Sequence, residues 1–252
     1  MRSLCIIFVS VGLLMFSAGC AVTQDQNTPV GEWSEVNPVS GTNYWIYVPS
    51  TYSHDVPMRV VVTCHGTPPF DVSNMHIRAW KMVGEDYNCI IVSPDLGATD
   101  GILGDGPLVG MLRNERIIMN IISELGYRYN IDLGNIMIWG FSGGGFPTYW
   151  VGLRHPEIFS VVVAQGCNFS EPNLDGWYPA DATQTPVLIY YGSHDPGTII
   201  SQSQHGIRYL RNKGFNVEED RLAGVGHERL PEVAMRFFAK HAKLTRPSLP
   251  TN

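Results

Sequence analysis

Gly140-Phe141-Ser142-Gly143-Gly144 sets a serine among glycines, directly after the strand-like run Ile136-Met137-Ile138-Trp139 and before a segment with helical character. A serine at so sharp a strand-to-helix turn is forced into a strained backbone conformation, and neighbours without side chains relieve the crowding around it. The helix that begins just beyond directs its positive end at the same spot, which favours negative charge there. A serine hydroxyl is a weak nucleophile until a base takes its proton. Two later loops carry the partners such a serine needs, in the order acid then histidine. Gly192-Ser193-His194-Asp195-Pro196 follows the apolar run Val187-Leu188-Ile189-Tyr190-Tyr191, and Gly224-Val225-Gly226-His227 follows the last strand-like segment. Ser142, Asp195 and His227 then all fall at the carboxyl ends of strands, where sites of this kind are built.

An attacking serine also needs two backbone N–H groups to hold the oxyanion it creates. One is expected from Gly143, the residue after the serine. The other is expected from His65-Gly66-Thr67-Pro68-Pro69-Phe70, the loop that ends an earlier strand. Thr67 is the donor expected there, since Pro68 has no N–H to give. His65 reads as a structural residue of that loop. Other carboxylates, Asp175 and Asp181, precede their strand and would require a different geometry. His194 occupies the acid loop and reads as a neighbour of the site. His227-Glu228 does not extend to H-E-x-x-H because Pro231 fills the second histidine position, and no CxxC pair is present. Neither a catalytic nor a structural metal is therefore expected, and no cofactor is called for.

These residues need a scaffold that alternates strands and helices. Strands are expected at 33–36, 44–48, 59–64, 89–93, 135–141, 159–164, 185–191 and 217–222. Helices are expected at 74–87, 112–129, 143–154, 199–213 and 230–241. Ile117, Ile118, Ile121, Ile122 and Leu125 give the second helix its apolar stripe. Gly214 should end the fourth. The first two strands are too close in sequence for a crossover and should be antiparallel. The rest should form a mostly parallel sheet of about eight strands, with helices on both faces. Between residues 168 and 182 there is room only for a small lid, and its Phe169, Trp177 and Tyr178 are candidate substrate contacts. The loop from Asp95 to Pro107, with Asp100 and Asp105, is a second candidate pocket wall.

From Arg59 to Arg236 the chain resembles the bacterial α/β-hydrolases of the polyhydroxybutyrate depolymerase and feruloyl esterase-like group. The resemblance rests on Val60–Gly66, Cys89–Asp95, Ile131–Ile136, the Ser142 turn, Arg154–Phe159, and the Asp195 and His227 loops. It implies an α/β-hydrolase fold and hydrolysis of carboxylic esters through an acyl-enzyme, on a small-molecule or polymer ester. A serine peptidase of the same fold shares every one of these residues, and an inactive binding module remains a further alternative.

Composition limits the partners. The 252 residues carry a net charge of −6, and no Lys/Arg run forms a basic patch, so nucleic acid is not an expected partner. Arg2, the apolar run Leu4–Phe16 and the small residues Ser17-Ala18-Gly19 have the pattern of a signal peptide over residues 1–19. Cys20 follows at a junction resembling a lipobox, although Ser17 stands where leucine is usual. The expected organisation is a lipidated N-terminus and tether at 20–30, a hydrolase domain at 31–244 and a loose tail at 245–252. Export as a membrane-anchored lipoprotein follows, with soluble secretion as the alternative. Cys64, Cys89 and Cys167 read as buried free thiols.

Overall fold

A computed structural model describes residues 29–97, 99 and 107–242. The signal and lipidation segment with Cys20, the acidic residues Asp100 and Asp105, and the tail from 245 lie outside the described residues. Among the described residues, no helix is long and apolar enough to cross a membrane.

Eight strands form one sheet in the order β1-β2-β4-β3-β5-β6-β7-β8. They are β1 (Gly31–Val36), β2 (Asn43–Val48), β3 (Met58–Cys64), β4 (Cys89–Pro94), β5 (Ile131–Phe141), β6 (Val161–Gln165), β7 (Val187–Gly192) and β8 (Val217–Leu222). β2 runs antiparallel to both β1 and β4, and every other pairing is parallel. Side chains alternate across the sheet, and both faces are buried. Val60, Val62, Ile90, Val92, Ile136, Ile138 and Val162 point to one core. Val61, Ile91, Met137, Trp139, Val161 and Val163 point to the other. That double burial is why the central strands read as continuous apolar runs. The edge strands β1 and β8 instead expose Glu32, Asp220 and other polar side chains, which discourages pairing with a second chain.

Helices α2 (Pro107–Arg128), α3 (Gly145–Arg154) and α5 (Gly197–Asn212) cover the first core, and α1 (Ser73–Asp86) and α6 (Pro231–His241) the second. α5 ends as its sequence requires. Gly214 has φ +88°, its N–H donates to Arg211 O at 3.0 Å, and Phe215 N–H donates to Leu210 O at 3.0 Å. These two bonds cap carbonyls of the helix's last turn. A one-turn helix, α4 (Glu171–Leu174), lies within the segment expected to be a small lid, and a 3-10 turn, Ala180–Gln184, runs past its end.

Candidate active site

The serine turn departs from the expected helix start in one respect. Ser142–Gly144 form a 3-10 turn, and α3 begins only at Gly145. Ser142 has φ +53°, a left-handed conformation that side-chain-bearing residues rarely adopt. Two glycines make this possible by close approach. A Cβ on Gly140 would lie 2.2 Å from Thr148 Oγ1, and one on Gly144 would lie 2.0 Å from Cys64 O. Thr148 Oγ1 donates to Gly144 O at 2.8 Å, and Asn168 N–H donates to Ser142 O at 2.9 Å, so the turn is held from both sides.

Asp195 and His227, thirty-two positions apart, meet directly. His227 Nδ1 lies 2.6 Å from Asp195 Oδ1, while Asp195 Oδ2 accepts the Gly192 N–H at 2.6 Å. The Asp195 side chain is 2% exposed and that of His227 28%. A carboxylate oxygen accepts this bond, so in the neutral imidazole the proton is on Nδ1 and Nε2 is the acceptor. The Phe141 ring stacks on the imidazole at 4.5 Å between centroids, which sets His227 against the residue that precedes Ser142. The acid and histidine loops are zipped together. Ser193 N–H donates to Leu222 O, His194 N–H to Val225 O and Gly224 N–H to Ser193 Oγ, each at 2.8 Å. The His194 side chain is exposed. Asp175 is engaged by Tyr209 and Lys213, each at 2.8 Å, and Asp181 is exposed at the start of its 3-10 turn.

The loop after β3 faces the serine. A Cβ on Gly66 would lie 3.1 Å from Ser142 Cβ, and one on Gly143 would lie 2.8 Å from Thr67 Oγ1. Gly66 thus approaches Ser142 itself, and the Thr67 side chain approaches Gly143, so the loops carrying the two expected donors adjoin. His65 clamps this loop. Its Nε2 accepts the Leu96 N–H at 2.9 Å, so its proton is on Nδ1, which donates to Gly66 O at 2.8 Å. Thr99 Oγ1 donates to the same oxygen at 2.8 Å.

The lid aromatics separate. Trp177 lines a cavity of about 230 Å³ with Leu108, Met111, Trp150, Pro172 and Asn173. Trp150 is on α3, the helix that follows the serine turn. Phe169 packs edge-on against Tyr149 within the core, and the partly buried Tyr178 packs edge-on against Phe215 at its margin. Cys64, Cys89 and Cys167 are buried free thiols. Burial pushes Cys64 and Cys89 up to about 12 and Cys167 well above its ordinary value, so none supplies a thiolate. Among the described residues, no group of three His, Cys, Asp or Glu side chains could hold a metal ion.

The sequence pattern of the phospholipase/carboxylesterase family matches residues 110–246, more than half of the chain. The chain belongs to this family. The matched stretch contains Ser142, Asp195 and His227 and stops short of Thr67. Membership places the chain among hydrolases of the α/β-hydrolase fold. Acyl-protein thioesterase 1 of Gibberella zeae is 25% identical over 143 residues, 54% of this chain and 59% of that protein. The chain thus spans about three-fifths of the length of that relative. Among solved structures, a ferulic acid esterase of Anaeromyces mucronatus bound to ferulic acid superposes with a TM-score of 0.65 at 14% identity, covering 90% of this chain and 94% of that one. An S-formylglutathione hydrolase of Agrobacterium tumefaciens gives 0.64 at 15% identity, covering 87% and 99%. Both likenesses are of fold.

Four side chains around the site were not singled out from the sequence. Gln165, at the end of β6, holds the histidine loop. Its Nε2 donates to Glu228 O at 2.5 Å, and its Oε1 accepts the Leu230 N–H at 2.9 Å. Asp71 Oδ2 accepts the Gly66 N–H at 2.6 Å and lies 2.8 Å from His76 Nε2, while Oδ1 accepts from Arg229 at 2.8 Å. Burial by itself would raise the Asp71 carboxyl. The His76 hydrogen bond, the Gly66 N–H and the Arg229 charge outweigh it and hold the carboxyl below its usual range.

His76 is fully buried, and burial pushes its imidazole below the usual value of 6.5, against the pull of Asp71. It is thus neutral at neutral pH and donates from Nε2. The unfolded chain binds a proton near pH 6.5 that the folded chain refuses, so this contribution is present above that pH and lost below it. The slope is at most about 1.4 kcal/mol per pH unit, or about 3 to 6 °C in melting temperature. Thermal melts from pH 7.5 to 5 should show the decline, and His76→Gln, which keeps a donor for Asp71, should flatten it. Parallel curves for the two proteins would contradict this assignment.

Proposed function

We propose that the chain is a metal-independent serine hydrolase of carboxylic esters, with Ser142 as nucleophile, His227 as base and Asp195 as the orienting acid. The observation that carries this reading is the 2.6 Å Asp195–His227 hydrogen bond, which engages Nδ1 and keeps Nε2 out of that bond, on an imidazole stacked against Phe141, the residue before a serine in a strained turn. His227 Nε2 takes the Ser142 proton as Oγ attacks the ester carbonyl. The N–H groups of Thr67 and Gly143 hold the oxyanion. The imidazolium returns its proton to the leaving alkoxide, which departs and leaves an acyl-enzyme. Water, activated by the same imidazole, then releases the acid.

The family and the thioesterase relative support cleavage at an activated acyl group, and the oxygen-ester preference is tested directly. p-Nitrophenyl esters, an acyl thioester and aminoacyl p-nitroanilides should be compared as substrates of one preparation. Turnover of the oxygen esters with the anilides left intact is the expected result. Preferential cleavage of anilides would replace the ester reading with a peptidase. Faster thioester cleavage would replace it with a thioesterase.

The N-terminal sequence carries the companion reading of export with lipid on Cys20. When the protein is expressed with its own leader in a bacterium that lipidates, Cys20→Ser should move it from the membrane to the soluble fraction. Unchanged fractionation would favour ordinary secretion.

A further inference from the structure

We infer that Asp71 and Arg229 are positioning residues for the hydrolysis proposed above, a single ion pair that holds the oxyanion loop and the His227 loop in fixed relation. This inference rests on that reading of Ser142, Thr67 and His227.

Asp71 is in the loop after β3, four positions beyond Thr67. Its Oδ2 accepts the Gly66 N–H at 2.6 Å, on the residue immediately before the expected oxyanion donor. Its Oδ1 accepts from Arg229 at 2.8 Å, two residues beyond His227. The two ends of the bond are 158 positions apart in the chain, so no local propensity explains their meeting. The Arg229 guanidinium also lies 5.6 Å from the centre of the Phe141 ring, the ring that stacks on His227 and precedes Ser142. One pair therefore touches the oxyanion loop, the nucleophile turn and the histidine loop.

The carboxylate is aimed as well as paired. His76, on α1, holds the same Oδ2 from a fully buried position, which leaves Asp71 little rotamer freedom. A buried carboxylate with three donors is costly to leave unmet, so removing one partner strains the other two. Oxyanion donors act only within a few tenths of an ångström of the right distance, and a small displacement of a catalytic loop costs far more rate than binding. Arg229, at 26% side-chain exposure, can be changed without opening the core.

The experiment compares wild type with Asp71→Asn, Arg229→Gln, Arg229→Lys and the Asp71→Asn/Arg229→Gln double variant on one p-nitrophenyl ester. Active sites are titrated with a fluorophosphonate, and rates are measured well below each melting temperature. Each of the two neutralising variants should lose about ten- to a hundredfold in kcat. KM should stay within about threefold, because the pair touches the reacting geometry and not the substrate. The double variant should be no slower than the slower single one, since both cut the same link. Arg229→Lys should recover most of the loss. A kcat for Arg229→Gln within twofold of wild type would overturn the inference. So would losses that multiply in the double variant, or a loss that vanishes once rates are divided by titrated sites. Should Asp71→Asn not fold, the two Arg229 variants decide the question alone. A wild type that is neither labelled nor active overturns the hydrolase reading together with this one, whereas an active wild type matched by the variants overturns this inference only.

Discussion

Ser142→Ala is expected to lose ester turnover by about five orders of magnitude or more, to the level that oxyanion donors and binding provide without a nucleophile. Fluorophosphonate labelling should disappear with it, and KM for any residual reaction should change little. Labelling of the alanine variant at wild-type rate would show that another residue is the nucleophile. The backbone adds a second readout at the same position. Ser142 sits at φ +53°, where a residue with a Cβ is strained by about 1 to 2 kcal/mol. Ser142→Gly should therefore be as inactive as the alanine variant and yet melt about 2 to 4 °C higher for each kcal/mol relieved. A glycine variant that melts lower than wild type would mean that packing of the Ser142 side chain and the greater freedom of glycine in the unfolded chain outweigh relief of backbone strain, since the Asn168 N–H bond to the backbone O of residue 142 is kept in both.

The serine turn was legible in the sequence because its requirements are local. Strand, glycine, serine and glycine are contiguous, and close approach of Cys64 O to Gly144 explains a glycine that spacing alone marks. β8 falls at the expected Val217–Leu222, and the antiparallel β1–β2 pair follows from a connection too short to cross over. β5 was harder. It begins at Ile131 instead of 135, because Met58 pairs with Ile131 while Val60 pairs with Ile136. The extra residues bulge, with Asp132 accepting the Gly134 N–H, and Asp-Leu-Gly reads as a turn. α4 is a single turn, too short for any period to register. Asp71, His76 and Arg229 were missed for a different reason. Each is an ordinary polar residue in its own stretch, and their meaning lies in contacts between distant segments. An aspartate five residues after the His-Gly pair, buried against an arginine just after His227, could be found only once the two loops were in the same place.

Asp195→Asn should lower turnover about a thousandfold or more while leaving the fold intact. The loss follows from the number of acceptors at this position. Asp195 receives two donors, the Gly192 N–H at 2.6 Å and His227 Nδ1–H at 2.6 Å, one on each oxygen. Asparagine has a single acceptor oxygen. The Gly192 N–H belongs to the backbone and can only donate, so the amide oxygen turns to it and the amide NH₂ faces His227. Nδ1 must then give up its proton to accept, which moves the proton to Nε2 and removes the base that Ser142 needs. The variant also loses the negative charge that stabilises the imidazolium during attack. His194→Ala, one residue away, tests whether the loss is specific to this carboxylate. The His194 side chain is exposed, and its contribution to loop zippering is its backbone N–H to Val225 O, which alanine keeps. Its turnover should stay within about threefold of wild type, as for other exposed substitutions. The measurement is kcat for both variants on one activated ester near pH 7.5, with folding followed by circular dichroism. A dead His194→Ala beside a nearly normal Asp195→Asn would remove Asp195 from the role. Asp175 could not simply replace it, because its carboxylate is already committed to Tyr209 and Lys213. The orienting group would then have to be a carboxylate that reaches His227 only after the histidine loop has moved, and that movement would first have to break the bonds from Gln165 to Glu228 O and Leu230 N–H.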